Sequence, residues 1–273
     1  MGSVIDCPVD ALDRESGRAA SGPQPHLAVV IPAFNEASTI RDIVTRALRQ
    51  VERIIVVDDG SGDGTGTALR GLPVTVLRNP TNLGKAASLR RGMVHALMDG
   101  ASAVVTLDAD AQHEPEDIPR LVAAHARNPQ AIIVGARLHD KHRIPRARYL
   151  ANRFANFWIA WAAGYPISDS QSGFRLYPAT LLSAVDVRND TSLAFVFESA
   201  VLINAARLGV PSIPVGISAL YPAGARASHF RPVVDVLLIA RMVAWKLLSR
   251  GFNIPGFIRS RRCPDRARQS HMA

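Results

Sequence analysis

The 273-residue sequence predicts an α/β chain built on a mostly parallel, doubly wound sheet. Three observations lead there. From residue 27 onward, short β-branched runs alternate with stretches at helical spacing. Hydrophobic residues make up 48% and charged residues 20%, so one sizeable core can be buried. The polar clusters stand mostly at the ends of predicted strands, where open parallel sheets bind their ligands.

The elements follow in order. Leu27–Ile31 is a buried strand, and Ile40, Ile43, Val44, Ala47 and Leu48 follow at helical spacing. Ile54–Val57 and Val74–Leu77 are the next two strands. Lys85–Met98 reads as a helix, Ala103–Leu107 as a strand, and Asp117–Ala126 as a helix with Pro115 near its start. Ala131–Val134 is a further strand. After residue 137 the alternation stops. Arg146–Ala163 is a helix rich in aromatic residues, Ser168–Gly173 a polar loop, Ser192–Leu208 a helix and Pro211–Ile217 a strand. Residues 232–250 form a last helical pattern.

The formal charge of +9 favours a polyanionic partner: nucleic acid, an anionic membrane or a phosphorylated substrate. The basic residues do not form a recognition element for nucleic acid, which speaks against that class. The cysteines, Cys7 and Cys263, lie in flanking segments, so no disulfide framework is expected and a reducing compartment fits. Residues 1–25 carry Asp6, Asp10, Asp13 and Glu15 without a long apolar stretch, and read as a disordered leader rather than a signal peptide.

Chemistry concentrates in three clusters. Pro32-Ala33-Phe34-Asn35-Glu36 follows the first strand; Phe34 offers a ring to a base and Glu36 an acceptor, or the segment is only a strand exit and helix cap. Asp58-Asp59-Gly60-Ser61-Gly62-Asp63-Gly64-Thr65 ends the second strand. It departs from a dinucleotide-binding loop, because Thr65 stands where the third glycine belongs. Two carboxylates there can bind a base edge and a ribose hydroxyl. In the third cluster, Asp108, Asp110 and Gln112 alternate as the chain leaves the sheet. They offer hard oxygen ligands for Mg²⁺ or Mn²⁺, or are a solvated acidic loop with His113 in a structural role.

In order, Pro32–Glu36, Asp58–Thr65, Asn82–Lys85 and Asp108–Gln112 resemble the family 2 glycosyltransferases of GT-A fold. Asp108-Ala109-Asp110 matches the family's Asp-x-Asp motif. Gln112 and the later Asp169–Arg175 segment are similar to the dolichol-phosphate mannose synthase and dolichyl-phosphate glucosyltransferase branch. The resemblance spans residues 27–231 and implies a GT-A domain over 26–231, with a C-terminal helix and basic tail over 232–273. It implies that Pro32, Phe34, Glu36, Asp58 and Asp59 bind the nucleoside, and that Asp108, Asp110 and Gln112 hold the metal. Lys85 approaches the donor or is a solvent-facing helix lysine; Arg137 contacts phosphate or lies on the surface. Asp169 and Gln171 face the acceptor, Asp169 as general base, orienting residue or loop cap. Arg175 and Glu198 fall on the acceptor side, Glu198 positioning the loop or serving structure alone. Arg226, Ser228, His229 and Arg231 occupy a basic acceptor loop where the branch often has Ser-Lys.

Inverting transfer of a single sugar from a UDP- or GDP-sugar to a polyprenyl phosphate is therefore expected. A glycan or lipid hydroxyl is the alternative acceptor, and a non-catalytic nucleotide-binding module is the rival from another class. Val233, Leu237, Ala240, Ala244, Leu247 and Leu248 share a helical face opposite Asp235 and Lys246, and Phe252, Ile254, Phe257 and Ile258, then Arg259, Arg261, Arg262, Arg266 and Arg268, follow. This pattern predicts peripheral contact with the cytoplasmic face of a membrane, against a helix merely packed on the domain.

Overall fold

The computed structural model describes residues 26–136, 146–185, 196–218, 232–248 and 251–261. Its strands are β1 (Leu27–Ala33), β2 (Arg53–Asp58), β3 (Thr75–Arg78), β4 (Ala103–Thr106), β5 (Ile132–Ala136), β6 (Arg175–Pro178) and β7 (Ser212–Gly216). They form one seven-stranded sheet in the order β3-β2-β1-β4-β6-β5-β7. All pairs are parallel except those of β6, which runs antiparallel to β4 and β5.

The helices are α1 (Ile40–Leu48), α2 (Thr65–Ala68), α3 (Lys85–Met98), α4 (Ile118–Arg127), α5 (Arg146–Ala163), α6 (Ala179–Ala184), α7 (Val196–Arg207), α8 (Pro232–Leu248) and α9 (Ile254–Ser260). Helices cover both faces, which explains the unbroken apolar runs of the central strands. On β1, Val29 and Ile31 enter one core with Ile43, Val44, Leu121 and Phe174. Val30, one residue out of step, enters the other with Leu89, Met93, Ile159 and Phe197.

The structure adds elements that the sequence pattern does not show. β6 is short and opens on a charged residue, Arg175. α6 and α9 are likewise short. Around α8 the packing corrects the expected face. Val243 and Leu247 are buried, whereas Ala240, Ala244 and Leu248 are exposed. Lys246 does not stand in solvent opposite that face: its Nζ donates to Asn204 Oδ1 at 2.6 Å, tying α8 to α7. The side chains of Val233, Asp235 and Leu237 lie outside the described residues, as do residues 1–25 and the arginines beyond Arg261. No described helix is long and apolar enough to cross a membrane.

Candidate active site

The polar clusters converge on the rim formed by the carboxyl ends of β1, β2 and β4. Pro32 lies inside β1, buried and in register with Val57. Its place in the fold is to end a ladder. Leu107 N–H donates to Val30 O at 3.1 Å, and the next rung would need an N–H that proline lacks. The chain is thereby released at Leu107, and Asp108-Ala109-Asp110 leaves the sheet. Pro32, expected as a nucleoside contact, steers the strand exit beside that expected site.

Where a nucleoside is expected, a cage of hydrogen bonds joins the first two clusters. Asn35 N–H donates to Ser61 Oγ at 2.9 Å, Glu36 N–H to Thr65 Oγ1 at 2.8 Å, and Ala37 N–H to an Asp63 carboxylate oxygen at 3.0 Å. Phe34 and Glu36 remain half-buried on the rim. The two aspartates of the second cluster part company. Asp59 is buried and accepts from Asn79 Nδ2 at 2.7 Å, Leu83 N–H at 2.9 Å and Gly84 N–H at 2.8 Å. Its oxygens are committed to the 79–84 loop, so Asp59 is a loop anchor and not the nucleoside ligand expected. Gly60, at φ 73°, lets that loop press close, for a Cβ there would stand 2.5 Å from the Thr81 carbonyl carbon. Asp58 is different. Its Oδ1 accepts from Ser61 N–H, but its buried Oδ2 takes no hydrogen bond and lies 3.4 Å from Nη1 of the exposed Arg78.

The charged centre of the rim is Lys85, the first residue of α3. Its Nζ stands 2.7 Å from Asp108 Oδ1 and 3.5 Å from Glu198 Oε1. Burial pulls the Lys85 ammonium down, but the charges of Asp108, Glu198 and Asp110 outweigh it and hold the group well above the ordinary lysine range. Asp110 is raised as well, which for a carboxylate disfavours the charged form. Burial, and then the charge of Asp108, push its carboxyl above the usual value. Gln112 N–H caps Asp110 Oδ1 at 3.1 Å. Thr39 Oγ1 donates to Ala109 O at 2.7 Å and fastens this turn to the start of α1.

The side expected to face an acceptor is the Ser168–Gly173 loop. Asp169 Oδ1 accepts from Gln171 N–H at 3.2 Å within the loop. Asn156 of α5 grips the same loop: its Nδ2 donates to Ser168 O at 2.8 Å, and its Oδ1 accepts from Ser170 N–H at 2.9 Å and Ser170 Oγ at 2.6 Å. Arg175 requires correction. It is fully buried, with Nε on Ser172 O at 2.7 Å, Nη1 on Glu198 O at 2.7 Å and Nη2 on Ser170 O at 2.8 Å. A guanidinium so engaged cannot meet an acceptor; it clamps the loop to the start of α7. Glu198 sits in that first turn, buried, with Oε1 facing Lys85. Arg137, Arg226, Ser228, His229 and Arg231 lie outside the described residues.

Comparison with known proteins identifies the architecture. The family model for glycosyl transferase family 2 matches residues 28–183. The chain belongs to glycosyl transferase family 2. Among this family's curated members, a polyprenol monophosphomannose synthase from Mycolicibacterium smegmatis is 30% identical over 222 residues, 76% of this chain and 83% of the relative. An undecaprenyl-phosphate mannosyltransferase from Micrococcus luteus is 29% identical over 69% of this chain and 81% of its own. Glucosyl-3-phosphoglycerate synthase from Mycobacterium tuberculosis, solved with Mn²⁺, UDP and its product, superposes with a TM-score of 0.56 at 22% identity, over 83% of this chain and 80% of that one. The fold is GT-A.

In this family 2 enzyme several supporting residues escape a motif search. Asn79 and Asn156 are ordinary loop or helix residues in the sequence. Asn156 leaves one trace: it is a polar residue in an aromatic turn of α5, between Phe154 and Phe157. Gly173 falls within the Asp169–Arg175 segment, but only the fold shows what it is for: a Cβ there would stand 2.4 Å from Asp108 Oδ2. Its backbone φ is not in the left-handed region, so Gly173→Ala strains the packing against Asp108 and not the backbone conformation. The variant should fold and push the Asp108 carboxylate aside. Transfer activity should fall about 10- to 100-fold, as when a supporting neighbour of a ligand is altered. Equal activity in the two proteins would show that Asp108 needs no such close packing.

Proposed function

We propose that the enzyme transfers one sugar, with inversion, from a UDP- or GDP-sugar to a polyprenyl phosphate, assisted by Mg²⁺ or Mn²⁺. The observation that carries this reading is the cluster Asp108–Lys85–Glu198, which joins the donor and acceptor sides of the rim. The curated relatives named above act on polyprenol and undecaprenyl phosphates, which supports the choice of acceptor.

The acidic turn fits a divalent ion. Asp108 and Asp110 stand two residues apart in one turn, where burial first and the charge of Asp108 second push the Asp110 carboxyl up, and both offer hard oxygen donors. Among the described residues no three His, Cys, Asp or Glu side chains form a cage, so Asp108 and Asp110 would hold the ion only together with oxygen donors from outside the protein. Such an ion would supply positive charge against the departing diphosphate. Lys85 adds a fixed ammonium beside it. The nucleobase presents an N–H to Asp58 Oδ2 once Arg78 swings aside, and Phe34 flanks the ring. An ionised acceptor phosphate attacks the anomeric carbon as the bond to the diphosphate breaks. Such a nucleophile needs no proton removed, so Asp169 and Gln171 serve to shape the loop, and Arg137, Arg226 and Arg231 grip the anion.

The test is incubation of purified enzyme with labelled nucleotide-sugars and polyprenyl phosphate, with Mn²⁺, Mg²⁺ or excess chelator. Labelled lipid formed only with the ion present is the expected result. Label transferred only to a soluble glycan overturns the acceptor, and full transfer in chelator overturns the ion. For the donor, Asp58→Ala should weaken UDP or GDP binding by about tenfold or more, the scale of a hydrogen bond to a charged group. Calorimetric titration measures it, and unchanged affinity removes Asp58 from the site.

A further inference from the structure

A second surface lies beside the acceptor loop, on α5, α9 and the turn between α8 and α9. Phe154 (59% exposed), Phe157 (40%), Phe252 (53%), Ile254 (64%) and Ile258 (54%) stand in solvent there. Isolated exposed apolar side chains are ordinary, but these belong to one packed layer. Trp158 contacts both Phe154, at 6.0 Å between ring centres, and Phe157, at 5.4 Å. Phe157 reaches Phe257 across the helices at 6.2 Å, and Phe257 lies 5.0 Å from Trp161. Ile254 and Ile258, one turn apart, share a face of α9.

The layer is held rigid. Trp161 Nε1 donates to Phe252 O at 2.9 Å, and Asn253 caps α9 by accepting from Gly256 N–H at 3.2 Å while its Nδ2 donates to Trp161 O. Positive charge borders it. Arg259 and Arg261 are exposed on α9, the latter with its guanidinium 5.4 Å from the centre of the Phe257 ring. Arg262, Arg266 and Arg268 follow in the sequence. Between Phe154 and Phe157 on α5 stands Asn156, which grips the acceptor loop.

We infer that this α5–α9 face seats on an anionic bilayer surface. Phe154, Phe157, Ile254 and Ile258 enter the boundary between headgroups and acyl chains, and Arg259 and Arg261 pair with lipid phosphates. Exposed aromatic and aliphatic side chains rimmed by arginine match the chemistry of that boundary. The sequence expectation placed contact on a face of α8 together with Phe252, Ile254, Phe257, Ile258 and the arginines after them; the structure adds Phe154 and Phe157 of α5, which pack into the same layer through Phe257 and Trp158. The inference rests on the polyprenyl-phosphate reading only for its purpose: α5 would hold the acceptor loop over the membrane that carries the acceptor.

The test uses the full chain and two double variants, Phe154→Ser with Phe157→Ser and Ile254→Ser with Ile258→Ser. Each is sedimented with vesicles of phosphatidylcholine, alone or mixed with phosphatidylglycerol. The wild type should bind the mixed vesicles and release in salt, and each variant should bind about tenfold or more weakly. Both variants should keep nucleotide binding and transfer to a short-chain, water-soluble prenyl phosphate. Hydrogen exchange on the wild type should slow at residues 154–161 and 252–261 when mixed vesicles are added, which carries the test even if a variant fails to fold. Wild type that ignores the mixed vesicles, variants that bind them equally, or a dimer lost in both variants without any vesicle binding would each overturn the inference. Failure of the acceptor reading looks different: vesicle binding persists while no prenyl phosphate, long or short, is labelled.

Discussion

Asp110→Asn is expected to lower transfer by about a thousandfold or more while leaving the protein folded. The substitution removes one of two carboxylates that would hold the ion, and such an ion contributes several kcal/mol to stabilising the leaving diphosphate. The shape of the turn survives, because the amide oxygen can still accept from Gln112 N–H. Stability should move in the opposite direction from activity. The folded protein raises the Asp110 carboxyl, by burial first and by Asp108 second, so ionising it costs stability once the pH exceeds the unfolded value. The variant should therefore melt at or above the wild-type temperature at neutral pH. The difference should fade below about pH 4, where the unfolded carboxyl is itself protonated. Melting curves at the two pH values, with Mn²⁺-dependent assays beside them, measure both halves. Wild-type activity in the variant would dismiss Asp110 as a ligand.

Arg175→Met should be the most destabilising single change among the residues of the rim, at about 3–5 kcal/mol. It strips the donors from the Ser170, Ser172 and Glu198 carbonyl oxygens and leaves the nearby charges of Glu198 and Asp169 without their buried counterion. For a chain of this size the melting temperature should fall by about 10 °C. Arg175→Lys should rescue little, since a single ammonium cannot reach three carbonyls held by a planar fork. An acceptor-binding arginine would behave otherwise. Its loss would leave the melting temperature in place and raise only the KM for the acceptor.

Local pattern made most of the Rossmann-like half legible. α3 and α5 occupy the residues read from helical spacing, Lys85–Met98 and Arg146–Ala163, and the strands from β1 to β5 and β7 depart by a residue or two. β6 was not legible, because a strand that opens on arginine breaks the apolar signature. Arg175 can be buried because the Ser170 and Ser172 carbonyls of the loop just before it and the Glu198 carbonyl of α7 surround it. The same distinction separates Asp58 from Asp59. As neighbours in an acidic turn they look alike, and only the fold brings Asn79, Leu83 and Gly84 onto one of them.

The sequence by itself determined the fold class, the order of the motifs and the residue types gathered at the strand ends. Those properties depend on hydrophobic period and on chemistry within a few residues of one another. The tertiary structure decided which charged groups face the rim and which are consumed in building it. Lys85 meets Glu198 across 113 residues of chain, Gly173 makes room for Asp108, and Asn156 ties the acceptor loop to an aromatic helix. Such contacts follow from how the sheet and helices pack, and no local spacing in the chain encodes them.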